Sequence, residues 1–234
     1  MGPLVTLDAA VFRFINLTLS NPVFDWLMPF FSSNAFFFPV ALTLGALVAW
    51  KGGTRARLCV VLLILTVVLG DNWVCNTIKK AVARPRPFMV LKDARLRPMP
   101  DPAKEELETS APVFKERENM NQLMAKGSYR SMPSGHSANW FAATMVAFIY
   151  YRRSVRFMLP LAITVAFSRV YNGVHYPGDV LAGAIVGAGY AAGGIWILDW
   201  TWQWLGKSWF PIWWKQLPSI MYPVVGRVTP CTPP

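Results

Sequence analysis

Apolar residues dominate five stretches of the chain, about 34–50, 58–78, 137–151, 157–171 and 179–198, separated by basic and turn-forming residues. Such runs predict helices that cross a bilayer, for which about 20 residues are needed. Several of them are shorter. Ser137 to Tyr151 would cover only about 22 Å at 1.5 Å per residue, so its crossing borrows from the turn before it or meets a thinned interface. That reading puts the turn at headgroup depth. Residues 7–33 differ, because apolar clusters there alternate with Asp8, Arg13, Asn16, Asn21, Pro22 and Asp25. Arg or Asp at the centre of a membrane helix costs about 2.5–3.5 kcal/mol each, so this segment is predicted to form an interfacial or re-entrant arm. The expected fold class is all-α, a polytopic membrane helical bundle of about five spans plus an N-terminal interfacial arm. It forms a single membrane domain over 1–234: the arm 1–33, the first two spans 34–78, a motif and cap loop 79–130, the last three spans 131–198 and an interfacial tail 199–234.

Composition agrees with a membrane protein, since 54% of the 234 residues are hydrophobic where soluble domains average roughly 45–50% even with glycine counted. The 23 Lys and Arg against 12 Asp and Glu lie between apolar segments and not along one face, which argues against nucleic acid and for membrane topology with an anionic substrate. Lys51, Arg55 and Arg57, then Arg152, Arg153 and Arg156, then Lys207, Lys215 and Arg227 occupy alternate connections whose one acidic residue is Asp199, at the start of the last. The positive-inside rule places these in the cytoplasm and Lys79 to Arg130 on the opposite side of a cell inner membrane. That long connection holds twelve basic and seven acidic residues and is expected to form a solvated cap or lid. Three cysteines, Cys59, Cys75 and Cys231, have neither disulfide nor zinc spacing, and residues 7–19 are too polar for a signal peptide. Seven of the eleven tryptophans fall between Trp196 and Trp214, as expected of a membrane-interface segment. Gly183 and Gly187 form a small-xxx-small pair suited to close helix packing.

Three polar constellations interrupt this pattern. Pro133-Ser134-Gly135-His136 feeds straight into an apolar helix, where Ser134, Gly135 and the following N–H groups can hold an anion and His136 sits in the first turn. By itself it could equally be a Ser cap beside an interfacial histidine. At the end of the second span, positions 72, 76 and 79 share one helical face, expected to turn into the bundle. Lys79 is followed by Arg86-Pro87, either a basic cluster at lipid headgroups or two cations that meet one phosphate. Between the fourth and fifth spans lies Ser168-Arg169 with His175 and Asp179. Alone, these could be a turn histidine and an acid that favours a helix N-terminus. The chain has two histidines, and both fall at helix mouths on one membrane side.

In order, Lys79-x6-Arg86-Pro87, Pro133-Ser134-Gly135-His136 and Ser168-Arg169-x5-His175-x3-Asp179 resemble the three signature motifs of the type 2 phosphatidic acid phosphatase superfamily, which shares its core with vanadium haloperoxidases. The resemblance covers roughly 34–198. Many relatives have six spans, and five spans plus an arm looks most like the short bacterial undecaprenyl-diphosphatase type. It implies His175 as a nucleophile that forms a phosphohistidine, with Asp179 fixing its tautomer and stabilising the imidazolium. It implies His136 as the acid for the leaving oxygen and later the base for water. Lys79, Arg86, Arg169, Ser134 and the Gly135 N–H would bind the phosphate oxygens. No metal and no cofactor is expected, because three cations take a metal's place and the motifs hold no carboxylate cluster for Mg2+.

A site at the interface suits a lipid phosphate whose tail stays in the bilayer. Undecaprenyl diphosphate is the first expectation, then lipid A, phosphatidylglycerophosphate and phosphatidic acid. A lipid phosphotransferase could use the same intermediate. A haloperoxidase would need vanadate, and a non-catalytic lipid-binding protein would be expected to lack part of the catalytic set.

Overall fold

The computed structural model describes residues 2–97 and 129–221. The mixed-charge runs 104–108 and 115–118 of the expected cap, and Cys231, lie outside the described residues. Eight helices order the described chain: α1 (Pro3–Arg13), α2 (Pro22–Phe31), α3 (Asn34–Lys51), α4 (Thr54–Val82), α5 (Gly135–Tyr150), α6 (Val155–Tyr171), α7 (Pro177–Trp209) and α8 (Pro211–Gln216). A single further turn covers Pro87–Val90. Among the described residues there is no strand, only an isolated bridge between Pro85 and Arg130. The protein is an all-α membrane bundle. Among the described residues three helices are long and apolar enough to cross a bilayer, Thr54–Val82, Arg152–Tyr171 and Pro177–Trp209. A fourth joins them if the pair Pro3–Thr18 and Pro22–Phe31, bent by 117°, counts as one broken span. α3 and α5, which complete the expected five, have 18 and 16 residues.

One of the two shortest apolar stretches, 137–151, forms the centre of the bundle. α5 packs against α4, α6 and α7, and it buries Ala138, Ala142, Ala143, Val146 and Tyr150. Small residues are what such a position requires, since packing and not solvent exclusion drives helices together in lipid. α7 meets α5 through the expected glycine pair. A Cβ on Gly183 would stand 2.5 Å from the Ser134 carbonyl oxygen, and one on Gly187 2.1 Å from that of Ala138. Cys59 and Leu62 of α4, Ala142, Val146 and Tyr150 of α5, and Ala191 and Ile195 of α7 make the main apolar core. Outward-facing Val61, Ile64, Val68, Ile163, Leu181 and Ile185 are exposed, as a lipid-facing surface demands.

Two local features depart from the sequence expectation. α4 carries a π-helical segment, Gly70–Cys75, and a wider turn changes the phase of all residues beyond it. Asn72 and Asn76 therefore lie exposed, and the inward face is Asp71, Cys75 and Lys79. α7 also continues through Trp209 for 33 residues, about 50 Å, so most of the Trp-rich segment is helical. Its buried Asp199 accepts hydrogen bonds from Ser219 Oγ at 2.9 Å and the Ile220 N–H at 2.6 Å, which folds the tail back on the bundle.

The arm's polar residues are partnered. Phe12 is fully buried with Val170, Tyr176 and Val180. Arg13 pairs with Asp93 at 2.6 Å, and Asp25 with Arg97 at 2.5 Å. Asn16 Nδ2 donates to the carbonyls of Arg95 (2.9 Å) and Tyr171 (2.8 Å), while its Oδ1 accepts the Arg95 N–H at 2.8 Å. The arm thus clamps the 91–97 segment against the end of α6.

Candidate active site

Three chain segments meet at one end of α5. The exit from α4 is joined to the turn before α5 by Ser131, whose N–H donates to the Arg84 carbonyl at 2.8 Å and whose hydroxyl lies 3.2 Å from the carbonyls of Arg84 and Pro85. The starts of α5 and α7 are joined by the Ser134 N–H, which donates to the Asp179 carbonyl at 2.9 Å, and by the Ser137 hydroxyl, which donates to the Val180 carbonyl at 2.7 Å. Ser134 is the N-cap of α5 and accepts from the Ser137 N–H at 3.5 Å. The turn between α6 and α7 is closed by the Arg169 carbonyl, which takes the N–H groups of Val174 (3.2 Å) and His175 (3.3 Å). Gly173 adopts φ +84° there, and a Cβ on it would lie 2.4 Å from the Arg95 carbonyl oxygen, so both backbone conformation and space require glycine.

All eight expected site residues lie in these segments. Lys79 is half-buried near the end of α4, with Arg86 half-buried in the exit that follows. Gly135 opens α5 and half-buried His136 follows it. A Cβ on Gly135 would lie 3.4 Å from Lys79 Nζ, which brings the α5 N-terminus beside that ammonium. Arg169 is buried in the last turn of α6, and His175 and Asp179 are buried around the start of α7. Burial holds the His175 imidazole well below its ordinary pKa, and the charges of Arg86, Arg169 and Lys79 push the same way against a smaller opposing contribution from the Ser131 backbone. Three cations therefore surround a histidine that is neutral at pH 7. Its Nδ1 stands 3.7 Å from Asp179 Oδ2, beyond hydrogen-bond length, and makes no hydrogen bond among the described residues. Catalytic hydrogen bonds are often long without substrate.

Three carboxylate and guanidinium groups escaped sequence reasoning. Arg84 pairs with Asp179 at 2.9 Å and with Asp8 at 2.7 Å. Asp71 brings an oxygen to within 2.8 Å of the position a Gly135 Cβ would take. The available signal was the cost of a lone acid in an apolar segment, which for Asp8 and Asp71 implies a nearby donor or cation.

The family model of the PAP2 superfamily matches residues 58–208. The chain belongs to the PAP2 superfamily. Among curated members, the lipid A 4'-phosphatase of Bacteroides thetaiotaomicron is 28% identical over 185 residues, 77% of this chain and 72% of that protein. The bacitracin transport permease protein BcrC of Bacillus licheniformis is 38% identical over 69 residues, 30% of this chain, and the match spans about a third (34%) of its length. The lipid A 1-phosphatase of Rhizobium johnstonii is 42% identical over 67 residues, 27% of this chain and 26% of that protein. Two solved structures resemble this one. Aquifex aeolicus LpxE superimposes with a TM-score of 0.56 at 24% identity, covering 80% of this chain and 93% of its own. The phosphatidylglycerolphosphate phosphatase of Bacillus subtilis gives 0.50 at 19%, covering 83% and 87%.

Proposed function

We propose that this PAP2 protein hydrolyses a phosphate monoester or diphosphate of a membrane lipid through a phosphohistidine on His175, without a metal. The observation that carries the reading is a buried imidazole among Lys79, Arg86 and Arg169. His175 attacks phosphorus, and the bond to the leaving oxygen breaks as His136 gives that oxygen a proton. His136 then takes a proton from water, which attacks the phosphohistidine and frees both phosphate and imidazole. Asp179 stabilises the imidazolium side of the nucleophile. The three cations, Ser134 and the Gly135 N–H hold the equatorial oxygens where negative charge shifts. The same positive charge repels a divalent cation, which supports metal-independent chemistry.

Undecaprenyl diphosphate is the proposed substrate, on the likeness of five spans plus an arm to the short diphosphatase type. A second reading, lipid A, is favoured by the relative that covers 77% of the chain, a lipid A 4'-phosphatase. We place the protein in the cytoplasmic membrane with the site on the non-cytoplasmic side. Arg55, which donates to the Tyr150 carbonyl and stacks over the Tyr151 ring at 5.2 Å, lies with Arg152 at the far end of α5 from Gly135, and a basic cluster at that end suits the cytoplasm. Purified protein in detergent with EDTA, offered the four lipid phosphates singly and with no acceptor lipid, tests the proposal. Inorganic phosphate release from one or more supports it, and the relative rates decide between the two substrates. A strict metal requirement, or transfer only to an added lipid, contradicts it.

A further inference from the structure

Asp179 rests on a residue outside the expected site. Nη1 of Arg84 donates to Oδ1 of Asp179 at 2.9 Å, and Nη2 reaches Oδ2 of Asp8 at 2.7 Å. The guanidinium carbon lies 4.0 Å from the centroid of the Tyr176 ring, which fixes the plane of the fork. The other Asp8 oxygen accepts the Gly178 N–H at 2.7 Å, and Oδ2 of Asp179 accepts the Tyr176 N–H at 2.8 Å. One guanidinium, with a side chain 20% exposed, thus joins an arm carboxylate (14%) to a fully buried one (0%). A carboxylate without water stays ionised only when it is paired and hydrogen-bonded. Of the two positions between Ala83 and Arg86, one is the Pro85 of the bridge to Arg130 and the other is Arg84, so the chain geometry that sets Arg86 also sets this fork.

We propose that Arg84 and Asp8 are positioning residues of the reaction: Arg84 keeps the Asp179 carboxylate ionised and aimed beside His175, and Asp8 fixes both Arg84 and the first turn of α7. The inference rests on the phosphatase reading above. A lysine at position 84 offers one point charge and no planar fork, so it replaces only part of this function. The N-terminal arm, through α1, becomes part of the catalytic apparatus. The groups that face Asp179 are Arg84 from the α4 exit, His175 and Tyr176 from the turn, and Ser131 from the segment before α5. Those that face His175 are Lys79, Arg86 and Arg169, and Asp8 faces Arg84.

The test is the pH profile of kcat and KM for Arg84→Ala, Arg84→Lys and Asp8→Asn in detergent, on whichever lipid phosphate the wild-type protein turns over. A misplacement of this order costs about 10²-fold, so Arg84→Ala is expected to lose about that much kcat with KM nearly unchanged. Its acid limb moves to higher pH, because a buried carboxylate that has lost its guanidinium takes up a proton more readily. Arg84→Lys recovers part of the loss, and Asp8→Asn, which keeps an acceptor for Gly178, shows a smaller change in the same direction. A raised KM with unchanged kcat assigns Arg84 to phosphate binding and overturns the inference, as does a lowered kcat with an unmoved acid limb. If Arg84→Ala does not fold, the same criteria apply to the other two variants. Wild-type turnover that His175→Ala abolishes upholds the phosphatase reading whatever the Arg84 variants do, and wild-type inactivity on every lipid phosphate overturns both.

Discussion

The backbone N–H of Ser134 donates to the carbonyl of Asp179 at 2.9 Å, so the helix start proposed to cradle phosphate hangs directly from the helix that carries the buried carboxylate. The distance between α5 and α7 therefore sets the geometry of the site. It is kept short by glycines whose hypothetical Cβ atoms would approach backbone oxygens to 2.5 Å at Gly183 and 2.1 Å at Gly187.

Gly187→Ala is accordingly expected to lower thermal stability in detergent, by about 1–3 kcal/mol as overpacking does, and to lower turnover with it. Gly189, whose added Cβ meets nothing within 4 Å, supplies the comparison. Gly189→Ala should leave both quantities unchanged. Equal losses at the two positions would show that the close approach is not responsible, since alanine favours a helix over glycine.

A second expectation concerns pH. His175 is held well below its ordinary pKa of 6.5 by burial and by Arg86, Arg169 and Lys79. The proposed nucleophile is active when neutral, so its contribution to the acid limb of kcat/KM should fall below pH 6.5. Arg86→Gln removes one of these charges and should move that limb upward while weakening substrate binding. The stability sign follows from the same shift. As pH falls below about 6.5, the unfolded chain takes up a proton on this histidine that the folded protein resists, so folding stability contributed by His175 declines. Unfolding midpoints of wild type and His175→Gln between pH 5 and 8 check this, and parallel curves would contradict it.

The clamp formed by the arm gives a third expectation. Gly173→Ala combines a φ of +84° with a Cβ 2.4 Å from the Arg95 carbonyl, and strain of this kind costs about 1–3 kcal/mol. The variant should lose stability and admit protease at 91–97 more readily than wild type. Asn16→Ala, which removes the three hydrogen bonds to Arg95 and Tyr171, should open the same segment. Protection unchanged in both variants would mean that the arm does not secure it.

Much of this molecule could be read from local pattern. The turn Pro133 to His136, the apolar runs and the pair Gly183 and Gly187 each express chemistry within a few residues, and the structure puts them at the helix start, the spans and the α5–α7 seam. Other features could not be read this way. Asp8 and Asp179 are far apart in sequence, and nothing near either residue names Arg84 as their common partner. The inward face of α4 was misassigned to Asn72 and Asn76 because a regular 3.6-residue period does not anticipate the π-helical segment Gly70–Cys75. The arm's polar residues point to an interfacial or re-entrant segment through their cost in lipid, but nothing local names the partners that Arg13, Asn16 and Asp25 each find in the 91–97 segment. Long-range pairing removes the cost that local reasoning assigns.

Metal removal gives a fourth expectation. Since Lys79, Arg86 and Arg169 supply the positive charge around His175, turnover should survive exhaustive dialysis against EDTA, and added Mg2+ should not raise kcat. Recovery of activity only on adding a divalent cation would require ligands other than those proposed.

The central claim is a phosphoryl group carried by His175. Rapid acid-free quenching during turnover of the preferred lipid phosphate, followed by mass spectrometry of the denatured chain at alkaline pH, tests it most directly. The account predicts a phosphorylated peptide containing His175 in wild type, slower formation and slower hydrolysis of it in His136→Ala, which lacks both the acid for the leaving oxygen and the base for water, and none in His175→Ala. Phosphate found on another residue, or full turnover by His175→Ala, would contradict it.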